Sequence, residues 1–234
     1  GAELGLDVFA KSGQRPRFGV DLSTGIGDFD VYGDAGLRFG NDFAVVNADS
    51  KSALVAAGPA LADPNTSQSA VAALDVPRLT GFKGQFVGGA SWSRKYNDND
   101  ILTIGAEYFY NQAGYSDRTL YPTHLAYQSL RPDLPLANFF YLGRHYGAVT
   151  VLLPAPYSWN YTTFALSTLG NLSDRSYVSR LDYSVTFLTH LTFQAFAALH
   201  YGQDGGELRF SFHGPPFNVP TPLIDLGVAL RLKF

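Results

Sequence analysis

The sequence predicts an all-β fold, an antiparallel up-and-down β-barrel that crosses a membrane on its strands, and three observations predict it. Apolar residues recur at every second position through about ten segments of roughly ten residues, the strand period and the length that a tilted membrane strand needs. The connections between those segments alternate between long and short. The composition is rich in aromatics and poor in charge, with 15% aromatic and 16% charged residues among 234, where a soluble domain carries about a quarter charged residues. No apolar run approaches the roughly 18 residues of a spanning helix. A barrel reconciles these facts, because only alternate residues of each strand must meet lipid.

The elements follow in chain order. Leu4, Leu6, Val8 and Ala10 alternate with Glu3, Asp7 and Lys11, and Phe18, Val20 and Leu22 with Arg17, Asp21 and Ser23. Phe29, Val31, Ala35, Leu37 and Phe39 alternate with Asp30, Asp34 and Arg38. Phe82, Phe86, Ala90 and Trp92 alternate with Lys83, Gln85, Ser91 and Lys95, and Leu102, Ile104, Ala106, Tyr108 and Tyr110 with Thr103, Glu107 and Asn111. The stretches 139–152 and 160–170 are strand-like without a clear facing. Leu181, Tyr183, Val185 and Phe187 alternate with Arg180, Asp182, Ser184 and Thr186, and Leu191, Phe193, Leu199 and Tyr201 with Thr192, Gln194 and His200. The last segment is the cleanest: Ile224, Leu226, Val228, Leu230, Leu232 and Phe234 fall on one face, and Asp225, Gly227, Ala229, Arg231 and Lys233 on the other.

Counted back from the C-terminus, the region 204–221 is long, the turn at 188–190 tight, 171–175 modest and 153–158 short. Segment 113–138 is long, 96–100 short, 41–80 very long and 25–28 tight. All long connections therefore share one end of a single domain, 1–234, as in outer-membrane barrels with short periplasmic turns. Both chain ends are expected at the short-turn end. Within 41–80, Ser50 is expected to cap one helix ending at Gly58–Pro59, and Ser67 another ending before Pro77. That loop is expected either to stay outside or to fold into the lumen as a constriction. Trp92, Tyr96, Tyr157, Trp159, Tyr161 and Phe234 form one expected aromatic band; Tyr108, Tyr110, Tyr115, Phe139, Phe140, Tyr141, Tyr177 and Tyr201 form the other.

An aromatic last residue preceded by alternating apolar positions, here Leu226, Val228, Leu230, Leu232 and Phe234, resembles the closing strand of bacterial outer-membrane β-barrel proteins. The stretch YNDNDILTIGAEYFYNQAGY (96–115) is similar to strands of larger porin-like proteins. The resemblance implies residence in the bacterial outer membrane, contact with its lipid and lipopolysaccharide, and delivery by the barrel-assembly machinery, which reads the closing strand. A homo-oligomer or a larger protein complex stays open alongside. The chain opens at Gly1 without a signal-peptide pattern. About ten strands either close on themselves or belong to a larger barrel with strands before residue 1.

For chemistry, Asp30, Asp34, Arg38, Lys83, Glu107, Arg180, Asp182, Arg231 and Lys233 are the candidate lumen-lining residues. Mixed charge on a wet inner face suits a passive channel for small hydrophilic solutes or ions. The rivals are a non-conducting barrel that presents loops or anchors partner proteins, and a hydrolase with a histidine at the rim. His124, His145, His190, His200 and His213 make no metal-binding spacing, and no GxSxG motif occurs. No catalytic residue, metal or cofactor is assigned. Cysteine is absent and the net charge of -3 argues against a nucleic-acid partner.

Overall fold

The computed structural model describes residues 1–13, 15–40, 43–96, 100–136, 141–187, 190–214, 217–221 and 223–232, with backbone alone at 212–214 and 217–219. The strands are β1 (Ala2–Phe9), β2 (Arg17–Ile26), β3 (Phe29–Phe39), β4 (Phe82–Lys95), β5 (Ile101–Asn111), β6 (His145–Pro154), β7 (Thr162–Asn171), β8 (Ser176–Phe187) and β9 (Leu191–Gly202). A small hairpin, β10 (Phe212–Gly214) with β11 (Phe217–Val219), precedes β12 (Ile224–Leu232). Three helices, α1 (Ala48–Ala62), α2 (Ser67–Ala73) and α3 (Tyr121–Leu130), lie in the long connections. No helix among the described residues is long and apolar enough to cross a membrane.

The ten long strands form one sheet in the order β1-β2-β3-β4-β5-β6-β7-β8-β9-β12. Every neighbouring pair is antiparallel and each strand pairs with its neighbour in sequence, the small hairpin aside. The connections at 40–81, 112–144 and 203–223 fall at one end of the sheet, and the turns at 27–28, 96–100 and 155–161 fall at the other. β1 leaves from the short-turn end and β12 returns to it. The sheet is not closed: β1 and β12 are both edge strands and do not pair with each other.

Register carries one apolar face across the whole sheet. Leu6 opposes Val20, Val20 opposes Ala35, and Ala35 opposes Phe86. Phe86 opposes Tyr110, and farther along Leu181, Ala197 and Leu226 stand in one rung. A soluble sandwich would bury such a face under a second layer. Here Leu6 is 78%, Val8 72%, Leu226 75% and Val228 77% exposed. The largest fully buried side chains, Tyr121, Tyr127 and His124, sit instead in the long connections.

Those connections build their own small core. Ala44, Val46, Leu74 and Val76 from the first meet Tyr115, Tyr121, Tyr127 and Leu142 from the second. Backbone bonds at Ala44 tie the two together, with its N–H donating to Pro135 O at 2.9 Å. The Tyr127 hydroxyl donates to Ser50 O at 3.1 Å, and the Arg131 guanidinium reaches Leu74 O. Tyr115 accepts from Val46 N at 3.3 Å, and its hydroxyl shares a hydrogen bond with His124 Nδ1, 2.9 Å away. We call this assembly the cap.

Several expectations change here. Helix α1 is capped by Asn47, whose side chain accepts from Ser50 N, and it runs through Pro59 to Ala62. Pro59 lies inside the helix, where it has no N–H to give to the preceding turn. Helix α2 (Ser67–Ala73) ends before Pro77 as expected, but its N-cap is Thr66, with Ser67 the first helical residue. Tyr115 is buried in the cap core and belongs to no surface band. Phe139, Phe140, Lys233 and Phe234 lie outside the described residues.

Burial pushes the ionisation of Tyr115 and Tyr121 far up, Tyr121 also through the nearby Asp174 carboxylate. A raised folded pKa means stability that is complete below the unfolded tyrosine value, about 10, and lost as pH rises beyond it. After a jump from pH 8 to pH 11, the phenolate absorbance of these residues should grow with the same slow rate as the loss of helical circular dichroism. Immediate ionisation with the helices intact would contradict the packing described.

Candidate functional site

The opposite, polar face is the candidate site. Successive rungs place Asp30 with Ser91, Asp34 with Val87, Arg38 with Lys83, and Gly89 with Glu107. Arg180 pairs with Ala198, Asp182 with Phe196, and Thr192 with Arg231. All of these residues share the one face. The charges are sorted on it. Arg38 faces Lys83 at the long-connection end of β3 and β4, and the Arg38 and Arg17 guanidinium groups lie 4.3 and 5.7 Å from the Phe43 ring centre. About 14 Å down the strands, Asp21 stands directly opposite Asp34. Across the sheet, Arg180 holds Asp182 bidentately at 2.7 and 2.8 Å and lies 4.0 Å over the Phe196 ring. Arg38 with Lys83 thus forms a basic row above the acidic one of Asp21 and Asp34.

Glycine makes this face work. Tyr32 on β3 crosses β4 at Gly89 to hydrogen-bond Glu107 on β5. A Cβ on Gly89 would meet the Tyr32 hydroxyl at 2.6 Å. Gly227 on β12 clears the same kind of path for the Phe196 ring, which carries Arg180.

At the long-connection end a buried polar knot ties the cap to the sheet. Glu207, in a short helical turn after β9, accepts from Leu142 N at 3.1 Å, from Asn171 Nδ2 at 2.8 Å, and from the Tyr146 hydroxyl. Asn171 Nδ2 also donates to the Tyr121 hydroxyl at 3.2 Å, which joins α3 to β7. Asp174 accepts from Ser176 N at 2.8 Å and from Glu207 N at 2.8 Å. Asn171 and Ser176 are fully buried. The cap therefore reaches the polar face at both sides, through Phe43 over β2 and β3 and through Tyr121 and Leu142 at β6 and β7.

Beneath the Tyr141 roof, a recess of about 280 Å³ is lined by Val87, Glu107, Phe109, Tyr141, Tyr146 and Leu169 among others. A second recess of about 170 Å³ lies on the other side of Glu107, among Tyr32, Ser91, Thr103 and Thr150. Tyr141 is expected in an aromatic band. Its half-exposed ring packs against the polar-face side chains, 5.4 Å from Phe109 and 5.1 Å from Tyr146.

His124 is buried in the cap and His145 and His200 are hydrogen-bonded, whereas His190 is exposed. His145 Nδ1 meets the Tyr108 hydroxyl at 2.6 Å. His200 has Nδ1 2.7 Å from Leu208 O and Nε2 2.9 Å from Asp225, so neither nitrogen is left to activate a hydroxyl. The His213 side chain lies outside the description. Among the described residues no group of three His, Asp or Glu side chains is placed to hold a metal. The sequence alone does not point to Tyr32, Phe109, Tyr146 or Glu207 as site residues. Only Phe109 had a legible signal, its position between the alternating Tyr108 and Tyr110.

Comparison with protein-family models, with curated proteins and with solved structures finds no match.

Every group facing the Glu207 carboxylate is a donor, so the knot demands an acceptor-only side chain. Glu207→Gln sets an amide NH₂ against those donors and should loosen the 203–211 loop and residues 141–144 by about 1–3 kcal/mol. Hydrogen exchange or limited proteolysis of the folded protein would register this with the strands unchanged. Wild-type protection in that variant would contradict the knot.

Proposed function

We propose that the sheet is the wall of a passive outer-membrane channel for small hydrophilic solutes or ions. The observation that carries this reading is the pairing of the two faces. One is apolar and exposed across ten strands, far beyond the few hundred Å² of apolar patch an ordinary soluble monomer displays. The other bears sorted charge, glycine and hydroxyl groups. Lipid satisfies the first face and water the second.

In this setting the free edges of β1 and β12 must pair, because hydrocarbon cannot hydrate their outward N–H and C=O groups. With an even number of strands the two edges run antiparallel to each other, which suits pairing between them, between copies, or with other strands. The segregation of long connections to one end supports an outer-membrane orientation with the cap outside. The contact of the cap with the polar face favours a second reading, a non-conducting barrel whose mouth is closed and whose outer surface serves interactions.

Planar-bilayer recording separates the two. Discrete current steps are expected from folded protein, and their absence would leave the non-conducting barrel. Replacing Lys83 and Arg231 together with Glu should move the reversal potential toward cations, since wall charges act on permeating ions at close range. Unchanged selectivity in a conducting variant would remove these two side chains from the path.

A further inference from the structure

The recess under Tyr141 differs from the rest of the polar face in being mostly apolar and aromatic. Phe109, Tyr141 and Tyr146 pack as one wall, with Tyr141 and Tyr146 edge to face. Tyr141 holds its place with φ at 61°, a left-handed conformation that is strained for a non-glycine residue and collects at ligand clamps. At the floor stands Glu107, exposed to the polar face, with Tyr32 as its hydrogen-bond donor. The ion pairs of the described residues do not include Glu107.

We infer that this recess binds an organic cation, an ammonium or guanidinium group carried on an apolar or aromatic body. The carboxylate takes the cationic head and the ring faces take the body, both through dispersion and through their negative quadrupole. An anion would face Glu107 across a partly dry pocket, and a neutral arene would gain the walls alone. Below Glu107 the path continues into hydroxyl-lined space, at Tyr32, Ser91, Thr103 and Thr150. Along β5, the ring, the carboxylate and the lower recess follow at steps of about 7 Å toward the short-turn end, so a released ammonium meets hydroxyl acceptors next. The inference deepens the channel reading by naming its solute class and rests on that reading for the passage, whereas binding itself does not require conduction.

The test is calorimetric titration of the full chain, folded in detergent, with benzylammonium chloride against benzoate and benzyl alcohol. Benzylammonium should bind at least about tenfold more tightly than either control, and Glu107→Gln should weaken it about tenfold. Tyr141→Gly removes the roof ring while keeping a backbone that glycine adopts freely, and it should weaken all aromatic ligands while preserving the preference for the cation. Should Glu107→Gln fail to fold, this second variant and the charge series on wild type still decide. Equal binding of benzoate, or affinities unchanged in both variants, overturns the inference. Binding without conductance removes the channel reading and leaves the site. Conductance without binding does the reverse.

Discussion

Strand register is the constraint on which everything else here depends. A slip of one residue in any pairing would turn that strand's apolar side chains onto the polar face and its charges onto the apolar one. The short connections hold the register. Gly27, at φ 62°, closes the two-residue turn between β2 and β3, and Arg175, at φ 61°, ends the four-residue turn between β7 and β8. The long connections add a second lock, because Glu207, Asn171 and Tyr146 reach their partners only when β6, β7 and β9 stand at the observed heights.

With the register set, the two faces are built by different physics. The apolar face asks only for bulk and hydrophobicity, so Leu, Val, Phe and Ala interchange along it. The polar face is an arrangement of specific pairs, and its small residues are spaces for large neighbours: Gly89 for Tyr32, Gly227 for Phe196. Charge on it is sorted by height and by side, with Arg38 and Lys83 above, Asp21 and Asp34 below, and Arg180 and Arg231 across the sheet. A solute moving along this face would cross changes of sign within a few strand residues, which is the electrostatic basis of the proposed wall.

The fold was legible where the polar face is wet. β2 to β5, β9 and β12 carry charge or hydroxyl at alternate positions, so period two stands out. β6 and β7 did not show their facing, and the structure explains why. Their polar-face positions include Tyr146, Ala148 and Leu169, which line the recess under the cap. Where loops cover the face it turns apolar, and alternation fades. The same effect hid α3, which buries Tyr121, Thr123, His124 and Tyr127 rather than an aliphatic stripe. The polar knot was invisible because Glu207 and Asn171 meet only through tertiary packing, 36 residues apart.

The absence of cysteine from the chain allows the central claim, that the apolar face meets lipid, to be measured one residue at a time. Single cysteines at 226, 227, 228, 229 and 230 would each carry a small fluorophore in protein folded into vesicles containing brominated acyl chains. Lipid should quench at 226, 228 and 230 and little at 227 and 229, where aqueous iodide should quench instead. Equal lipid quenching at all five positions, or none at 226, 228 and 230, would contradict it.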